Sequence, residues 1–212
     1  MDTVKRHIIV VGTSAGGVEA LQRLVAGLPR DLPAAVFVVA HIPPWGKSNL
    51  PAIITRKGSL LALQAEPEQR FQQGRIYIAP PDYHILLERE SIRLWRGPKE
   101  NRHRPSINAL FRSAAVAHKE RVIGVILSGA LDDGSTGLWW VEQFGGLAIV
   151  QDPREAAFAD MPQSALEHVE VDSVSRLAEM GSLLAGLAMG NGKKAASRLM
   201  PEEQPPWKPR NL

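Results

Sequence analysis

Short apolar runs alternate along this chain with segments in which apolar residues recur every three or four positions. Runs rich in Val, Ile and Leu are typical of buried strands, and they cover residues 7–12, 34–44, 121–129 and 147–153. Helical spacing, with capping residues or glycine and proline at the ends, predicts helices over residues 17–29, 48–58, 105–120, 133–146, 161–169 and 172–190.

The middle of the chain has a different pattern. Residues 75–81, 83–88 and 91–97 look like three strands separated by tight turns, which favours a small antiparallel hairpin. Elsewhere buried strands and amphipathic helices alternate. We therefore predict an α/β fold with a doubly wound, mostly parallel sheet, helices on both faces and this small antiparallel hairpin.

The pattern changes near the C-terminus. We predict one domain over residues 1–190, because the alternating elements continue to that point without an internal repeat. Residues 191–212 carry charges and prolines without periodicity, so we predict a flexible tail there.

Composition narrows the function classes. The 212 residues include no cysteine, which excludes disulfides, thiolate zinc sites and a cysteine nucleophile. The formal net charge of +3 is mild, and it favours an acidic partner rather than nucleic acid. No apolar run approaches the ~20 residues of a membrane helix, and the N-terminus lacks the features of a signal peptide. We expect a cytoplasmic protein without membrane insertion.

The turn after the first predicted strand, GTSAGG at residues 12–17, admits two interpretations. A dinucleotide-binding fingerprint would place glycines at positions 12, 14 and 17, but Ser14 would obstruct the approach of a pyrophosphate. The alternative is the G-x-S-x-G turn, which exposes a serine hydroxyl at the N-terminus of a helix. A serine at such a place can also be a simple helix cap.

Two further strand ends carry reactive side chains. His41 ends the second predicted strand, and Asp132 and Asp133 follow the third buried run. Carboxyl ends of parallel strands meet at one edge of a sheet, so these side chains would lie close to the Ser14 hydroxyl. The serine would then be a nucleophile, the histidine its base, and the carboxylate the group that orients the histidine. One aspartate could instead cap the following helix, and a metal site lacks a third ligand.

Six segments occur in an order that resembles the catalytic domain of the chemotaxis protein-glutamate methylesterases (CheB type). They are IIVVGTSAGGVEAL, VVAHIPP, RIYIAPPDYHILL, NRHRPSINALFRSAA, GVILSGALDDGSTGL and FADMPQSAL, and the resemblance extends from about residue 7 to residue 187. It implies a serine hydrolase that demethylates glutamate methyl esters, and deamidates certain glutamines, on the cytoplasmic helices of chemoreceptors. We expect no cofactor and no metal.

The resemblance also implies roles for individual residues. The nucleophile of the family falls on Ser14, its histidine on His41, and its aspartate on Asp133 rather than Asp132. Oxyanion donors fall on the backbone N–H groups of Ala15 and Ala130; the residue after the serine is often threonine in the family.

A basic segment over residues 99–108 is the predicted substrate contact. We expect Arg102 and Arg104 to attract the acidic methylation regions of receptors, although a solvated loop is the simpler interpretation. His84 is expected to be structural, Met161-Pro162 to border the cleft, and Trp139-Trp140 to serve packing.

Regulation is where the chain departs from the family pattern. Members commonly carry an N-terminal receiver domain, whereas here six residues precede the first predicted strand. We therefore expect either constant activity or control by a separate partner. A non-catalytic signalling module on the same fold is the alternative function.

Overall fold

A computed structural model describes residues 5–41 and 49–190 of the chain. Its centre is a seven-stranded parallel sheet in the order β3-β4-β2-β1-β7-β8-β9. The strands of this sheet are β1 (Ile8–Thr13), β2 (Ala35–Ala40), β3 (Leu61–Gln64), β4 (Arg75–Ile78), β7 (Val122–Ile126), β8 (Leu147–Gln151) and β9 (Ser173–Ser175). An antiparallel pair, β5 (His84–Leu87) and β6 (Ile92–Trp95), forms a separate hairpin.

In the described part of the chain, six α-helices cover the two faces of the sheet. They are α1 (Gly17–Ala26), α2 (Leu50–Lys57), α3 (Ile107–His118), α4 (Ser135–Gln143), α5 (Asp160–His168) and α6 (Leu177–Ala188). Apolar residues of α1, α2 and α6 pack in one core, and those of α3, α4, α5 and the hairpin pack in the other. The predicted doubly wound α/β fold with a small antiparallel hairpin is confirmed.

Strand β1 shows why the central runs contain almost no polar residue. Its side chains alternate between the two cores, with Ile9 and Val11 on one face of the sheet and Ile8 and Val10 on the other. All six residues of β1 are buried. A strand covered by helices on both faces reads as a continuous apolar run instead of an alternating one.

The position of β1 also fixes where a site can form. β1 pairs with β2 on one side and with β7 on the other, so the strand order reverses at β1. Ligands of open α/β sheets bind beyond the carboxyl ends of the strands at such a reversal. The segments that follow β1, β2 and β7 meet there.

Two strands escaped the sequence-based prediction, and both lie at sheet edges. β3 has only four residues with mixed burial, and β9 is the tripeptide Ser-Val-Ser, so neither has the apolar run of a central strand. The helix predicted over residues 172–190 was therefore wrong at its start, because the helix itself begins at Leu177. The tail predicted over residues 191–212 lies outside the described residues.

The strand at residues 75–81 was expected beside the hairpin. Instead β4 pairs in parallel with β2 and β3 in the main sheet, and only β5 and β6 pair with each other. In the described part of the chain, no helix has the length and apolarity that a membrane span requires.

Candidate functional site

Ser14 lies in the tight turn between β1 and α1. Its N–H donates to the carbonyl of Ser128, 3.0 Å away, and its carbonyl accepts from the N–H of Gly17 at 2.9 Å. Gly16 has a φ of 71°, and a side chain there would meet Ala157 and the hydroxyl of Ser128 at 2.9 Å. The Ser14 hydroxyl itself has no hydrogen-bond partner among the described residues. The turn thus holds the serine backbone and leaves the hydroxyl available.

Ser128, which the sequence analysis did not single out, fastens this turn to the neighbouring loops. Its carbonyl accepts from the hydroxyl of Thr13 at 2.8 Å, and its own hydroxyl donates to the carbonyl of Ala15 at 2.8 Å. The N–H of Phe158 donates to the same hydroxyl at 3.0 Å. A serine at a strand end has many possible roles, so nothing in the sequence alone distinguished this one.

His41 follows β2 directly beside the Ser14 turn. Thr13 and Ala40 are the last paired residues of β1 and β2, and these two strands lie about 5 Å apart. Ser14 and His41 are the residues that directly follow this pair. The N–H of His41 donates to the carbonyl of Thr13 at 3.1 Å. The ring places Nε2 3.0 Å from Oδ2 of Asp133, while Nδ1 is buried and has no hydrogen-bond partner among residues 5–41 and 49–190. Nδ1 is therefore the nitrogen left to accept a proton.

Asp133 is only 1% exposed, and its carboxylate accepts four hydrogen bonds. One comes from His41; the others come from the Ser106 hydroxyl at 3.0 Å, the Ile107 N–H at 2.8 Å and the Asn108 N–H at 3.3 Å. The last two are N–H groups in the first turn of α3, which have no partner within the helix. A buried carboxylate with these partners is held in one orientation.

Asp132 has a different environment, although it is the neighbouring residue. It is exposed, and its Oδ1 accepts from the side-chain amide of Asn101 at 3.0 Å. Neither aspartate side chain caps α4. The side chain of Asn108 accepts the N–H groups of Gly134 and Gly137 there, at 3.0 and 2.7 Å. The expectation that an aspartate caps that helix was thus wrong, because Asp133 caps α3 instead.

Two backbone N–H groups lie close to Ser14 without a hydrogen bond in the described part of the chain. One belongs to Ala15, the residue after the serine, and the other to Ala130. Ala130 follows Gly129, which lies against the Ser14 side chain. A Cβ added to Gly129 would be only 3.0 Å from the Cβ of Ser14. Unpaired N–H groups beside a serine are the donors that a developing oxyanion requires.

A basic pocket opens beside His41. Its lining includes Lys99, Arg102 and Arg104. Arg104 is bound twice by Asp82 and donates to the carbonyl of Gly97 at 2.7 Å. Lys99 and Arg102 form no ion pair with any described residue, so their charges are available to a ligand. The prediction that Arg102 and Arg104 bind substrate remains untested.

The carboxylate of Asp82 balances part of this positive charge. Arg96 donates to its second oxygen at 2.7 and 3.0 Å, so one carboxylate serves two guanidinium groups. The hydrogen bonds from Arg104 and then Arg96 lower the pKa of Asp82. Asp82 therefore keeps its charge to lower pH than an ordinary aspartate does, and this charge holds the guanidinium of Arg104.

The other residues that were named from the sequence, which are His84, Met161, Trp139 and Trp140, are buried or partly buried and have the contacts of structural residues. His84 is fully buried, and its two ring nitrogens bond the carbonyl of Pro98 and the N–H of Ser106. Met161 is fully buried and its N–H bonds the carbonyl of Gly129 beside the site. Trp139 and Trp140 are partly buried against a core, with their rings edge to face. No group of three metal-ligating side chains occurs among the described residues.

Comparison with known proteins identifies one matching protein family and several relatives that are similar in sequence to this chain. The family model described as CheB methylesterase matches residues 9–184. A Leptospira interrogans protein, provisionally named a protein-glutamate methylesterase/protein-glutamine glutaminase, is 36% identical over 86% of this chain and 95% of its own length. A Methanosarcina acetivorans protein named protein-glutamate methylesterase/protein-glutamine glutaminase 2 is 37% identical over 82% of this chain and 51% of its own length.

The fold has a counterpart among solved structures. The crystal structure of the Thermotoga maritima CheB methylesterase catalytic domain superposes with a TM-score of 0.83 at 31% identity. The match covers 87% of this chain and all of that one.

Proposed function

This chain belongs to the CheB methylesterase family, and we propose that it hydrolyses methyl esters of glutamate side chains on chemoreceptor-type proteins. We also propose that it deamidates glutamines there, as the names of its relatives include both activities. The observation that carries the proposal is the position of Ser14, His41 and Asp133 in the segments that follow three adjacent central strands, β1, β2 and β7. The bond of 3.0 Å between His41 and Asp133 supports a Ser-His-Asp triad.

Ser14 is the nucleophile of this mechanism. Nδ1 of His41 removes the hydroxyl proton as Oγ attacks the ester carbonyl, and Asp133 stabilises the imidazolium through Nε2. The His41 proton then passes to the departing methoxide, so methanol leaves and a Ser14 ester of the glutamate remains. Water, deprotonated by His41, hydrolyses that ester and restores the serine. With a glutamine substrate, ammonia leaves in place of methanol.

The Ser14 hydroxyl without a partner agrees with this mechanism. Catalytic hydrogen bonds are often open in an enzyme without its substrate and close when the complex forms. Backbone N–H groups of Ala15 and Ala130 are the proposed oxyanion donors, because neither has a hydrogen-bond partner among the residues that the structure describes. Each such donor contributes roughly 3 kcal/mol to stabilisation of the transition state.

The basic pocket supports an acidic protein substrate. Methylation regions of receptors carry glutamates near the modified side chain, and Lys99 and Arg102 have charges to meet them. We propose Arg102 as a direct contact and Arg104, with its guanidinium held by Asp82, as the fixed wall behind it. The cytoplasm, where such receptor helices lie, is the proposed compartment.

Methanol release from a panel of methylated receptor fragments tests the proposal. The wild-type protein should release methanol, and Ser14→Ala should lower the rate by about 10³-fold or more without a change in melting temperature. Ser59→Ala, at an exposed position outside the site, is the matched control. A fluorophosphonate should also label the wild-type protein at Ser14. Absence of both turnover and labelling in the folded wild-type protein would contradict the proposal.

A further inference from the structure

His103 lies flat on His41. The centroids of the two imidazole rings are 3.7 Å apart, and the ring planes differ by 8°. The His41 side chain is only 9% exposed. One face of the proposed base is therefore covered by a second ring, which the mechanism above does not use.

A hydrogen bond and a stacked ring restrict different motions. The bond from Nε2 to Asp133 fixes one atom of the His41 ring, but it leaves rotation of the ring plane about that contact. The torsion between the ring and Cβ of histidine has broad minima, so side-chain preference alone does not hold the plane. A flat group in van der Waals contact with one face does hold it.

His103 can act in this way because its own loop is anchored. Glu100 and His103 exchange backbone hydrogen bonds at 3.1 and 3.0 Å, which closes a four-residue turn. Both terminal guanidinium nitrogens of Arg112, on α3, donate to the Glu100 carboxylate at 2.7 and 2.9 Å. The side chain of Asn101 reaches Asp132 in the loop that carries Asp133.

The backbone of this turn is strained. Arg102 has a φ of 68°, in the left-handed region that most side chains disfavour, and Asn101, a residue type that adopts this region more readily, has a φ of 49°. Such conformations persist where surrounding contacts determine them, and they concentrate at functional sites. Here the strain brings the His103 ring against His41.

We propose that His103 is a positioning residue, which keeps the plane of the His41 ring aligned so that Nδ1 faces Ser14 while Nε2 stays on Asp133. This inference rests on the proposed function, because it assigns His41 the role of base. Among the described residues, no side-chain hydrogen bond joins His103 to Asp133, so the contact of His103 with the proposed triad is its stack on His41.

The surroundings of His103 lower its pKa and so favour its neutral form. Burial is the largest effect that lowers its pKa, followed by His41 and, more weakly, Lys99. Asp133 and Asp132 oppose this effect. Two stacked imidazolium rings would repel each other, so a neutral His103 leaves the single positive charge of the pair to His41, where the mechanism needs it.

Three substitutions test the inference through the pH dependence of fluorophosphonate labelling at Ser14. His103→Phe keeps a flat ring, and we expect labelling within about threefold of wild type. His103→Leu has a similar apolar volume but no plane, and we expect labelling at least tenfold slower. Melting temperatures are measured in parallel, because a purely structural role would lower those of Phe and Leu variants alike and leave the labelling rates equal.

His103→Arg provides an independent readout. Its guanidinium is planar but always positive, so it opposes protonation of His41 and should shift the acid limb of the pH profile to lower pH. Equal labelling rates for wild type, His103→Phe and His103→Leu, with no shift in His103→Arg, would overturn the positioning role alone. A folded wild-type protein that does not react would overturn the proposed function and this inference with it.

Discussion

Asp133 holds Nε2 of His41 at 3.0 Å with the same carboxylate that closes the first turn of α3. One buried side chain thus takes part both in the proposed catalytic row and in the packing of a core helix. Its removal should affect activity and stability together, whereas the removal of Ser14 should affect activity alone.

Asp133→Asn is the first test of this double role. An amide group has only one oxygen to accept the bonds that two oxygens accept now, so a donor in the first turn of α3 or on His41 loses its partner. We expect a loss of about 1–3 kcal/mol in unfolding free energy and a fall in turnover of about 10³-fold or more. Asp132→Asn, at the exposed neighbour, should leave both nearly unchanged. Equal behaviour of the two variants in urea denaturation and methanol release would contradict this assignment.

Two glycines provide a matched pair of alanine substitutions. A Cβ at Gly129 would collide with the sulfur of Met161 and lie 3.0 Å from Cβ of Ser14, so Gly129→Ala should displace the serine and reduce turnover at least tenfold. At Gly186, within α6, an added Cβ meets no heavy atom within 4 Å. Gly186→Ala should raise stability by roughly 0.5–1 kcal/mol without altering turnover. Wild-type turnover in Gly129→Ala would show that the serine tolerates displacement of this loop.

The basic pocket predicts a charge-dependent substrate preference. Arg102→Glu should lower kcat/KM for an acidic methylated receptor fragment by roughly tenfold, and the loss should shrink as ionic strength rises. A small neutral ester has no such contact, so its hydrolysis should be unchanged. Arg30→Glu, exposed beyond the opposite end of α1, is the control. Comparable losses with Arg30→Glu would mean that net charge, not the pocket, attracts the substrate.

His118 predicts a pH-dependent stability. It is 2% exposed and donates to the carbonyl of Glu88, and burial is the main cause that lowers its pKa from 6.5 to about 4. The unfolded chain therefore takes up a proton between those values that the folded chain does not. Stability should fall by about 2–3 kcal/mol as the pH drops from 6.5 to 4, with a smaller contribution of the same sign from His7.

His118→Phe removes this titration while preserving a ring of similar size. Urea denaturation at pH 7 and at pH 4 should therefore show a smaller pH effect in the variant than in the wild type. An undiminished effect would assign the acid sensitivity to other groups.

Much of this architecture was predictable because helices bury both faces of the sheet. Central strands such as β1 and β7 then consist of uninterrupted apolar residues, which a sequence displays clearly. The edge strands β3 and β9 lack that signal, because each needs only one partner strand and part of each is exposed. Pairing in the sheet, and not local composition, makes them strands.

The residues of the candidate site also fall into two groups, those that the sequence indicates and those that it does not. Strand ends and turns mark Ser14, His41 and the pair Asp132-Asp133 along the chain, and only the family resemblance favoured Asp133 over Asp132. The stack of His103 on His41 was not, because it depends on a strained turn that Arg112 anchors from a helix later in the sequence. Ser128 and Asn108 escaped for a similar reason: their partners lie more than twenty residues away.

The proposed triad lies beside the three central strands of the sheet, and this position determines how thermal unfolding should affect activity. Local opening begins where few apolar contacts and neighbouring strands protect the backbone, which here means the periphery of the sheet. Amides of β1, β2 and β7 should exchange with deuterium only through global opening, and heat should inactivate the protein in the same transition that melts it. The outer strands can fray without disturbing the proposed triad.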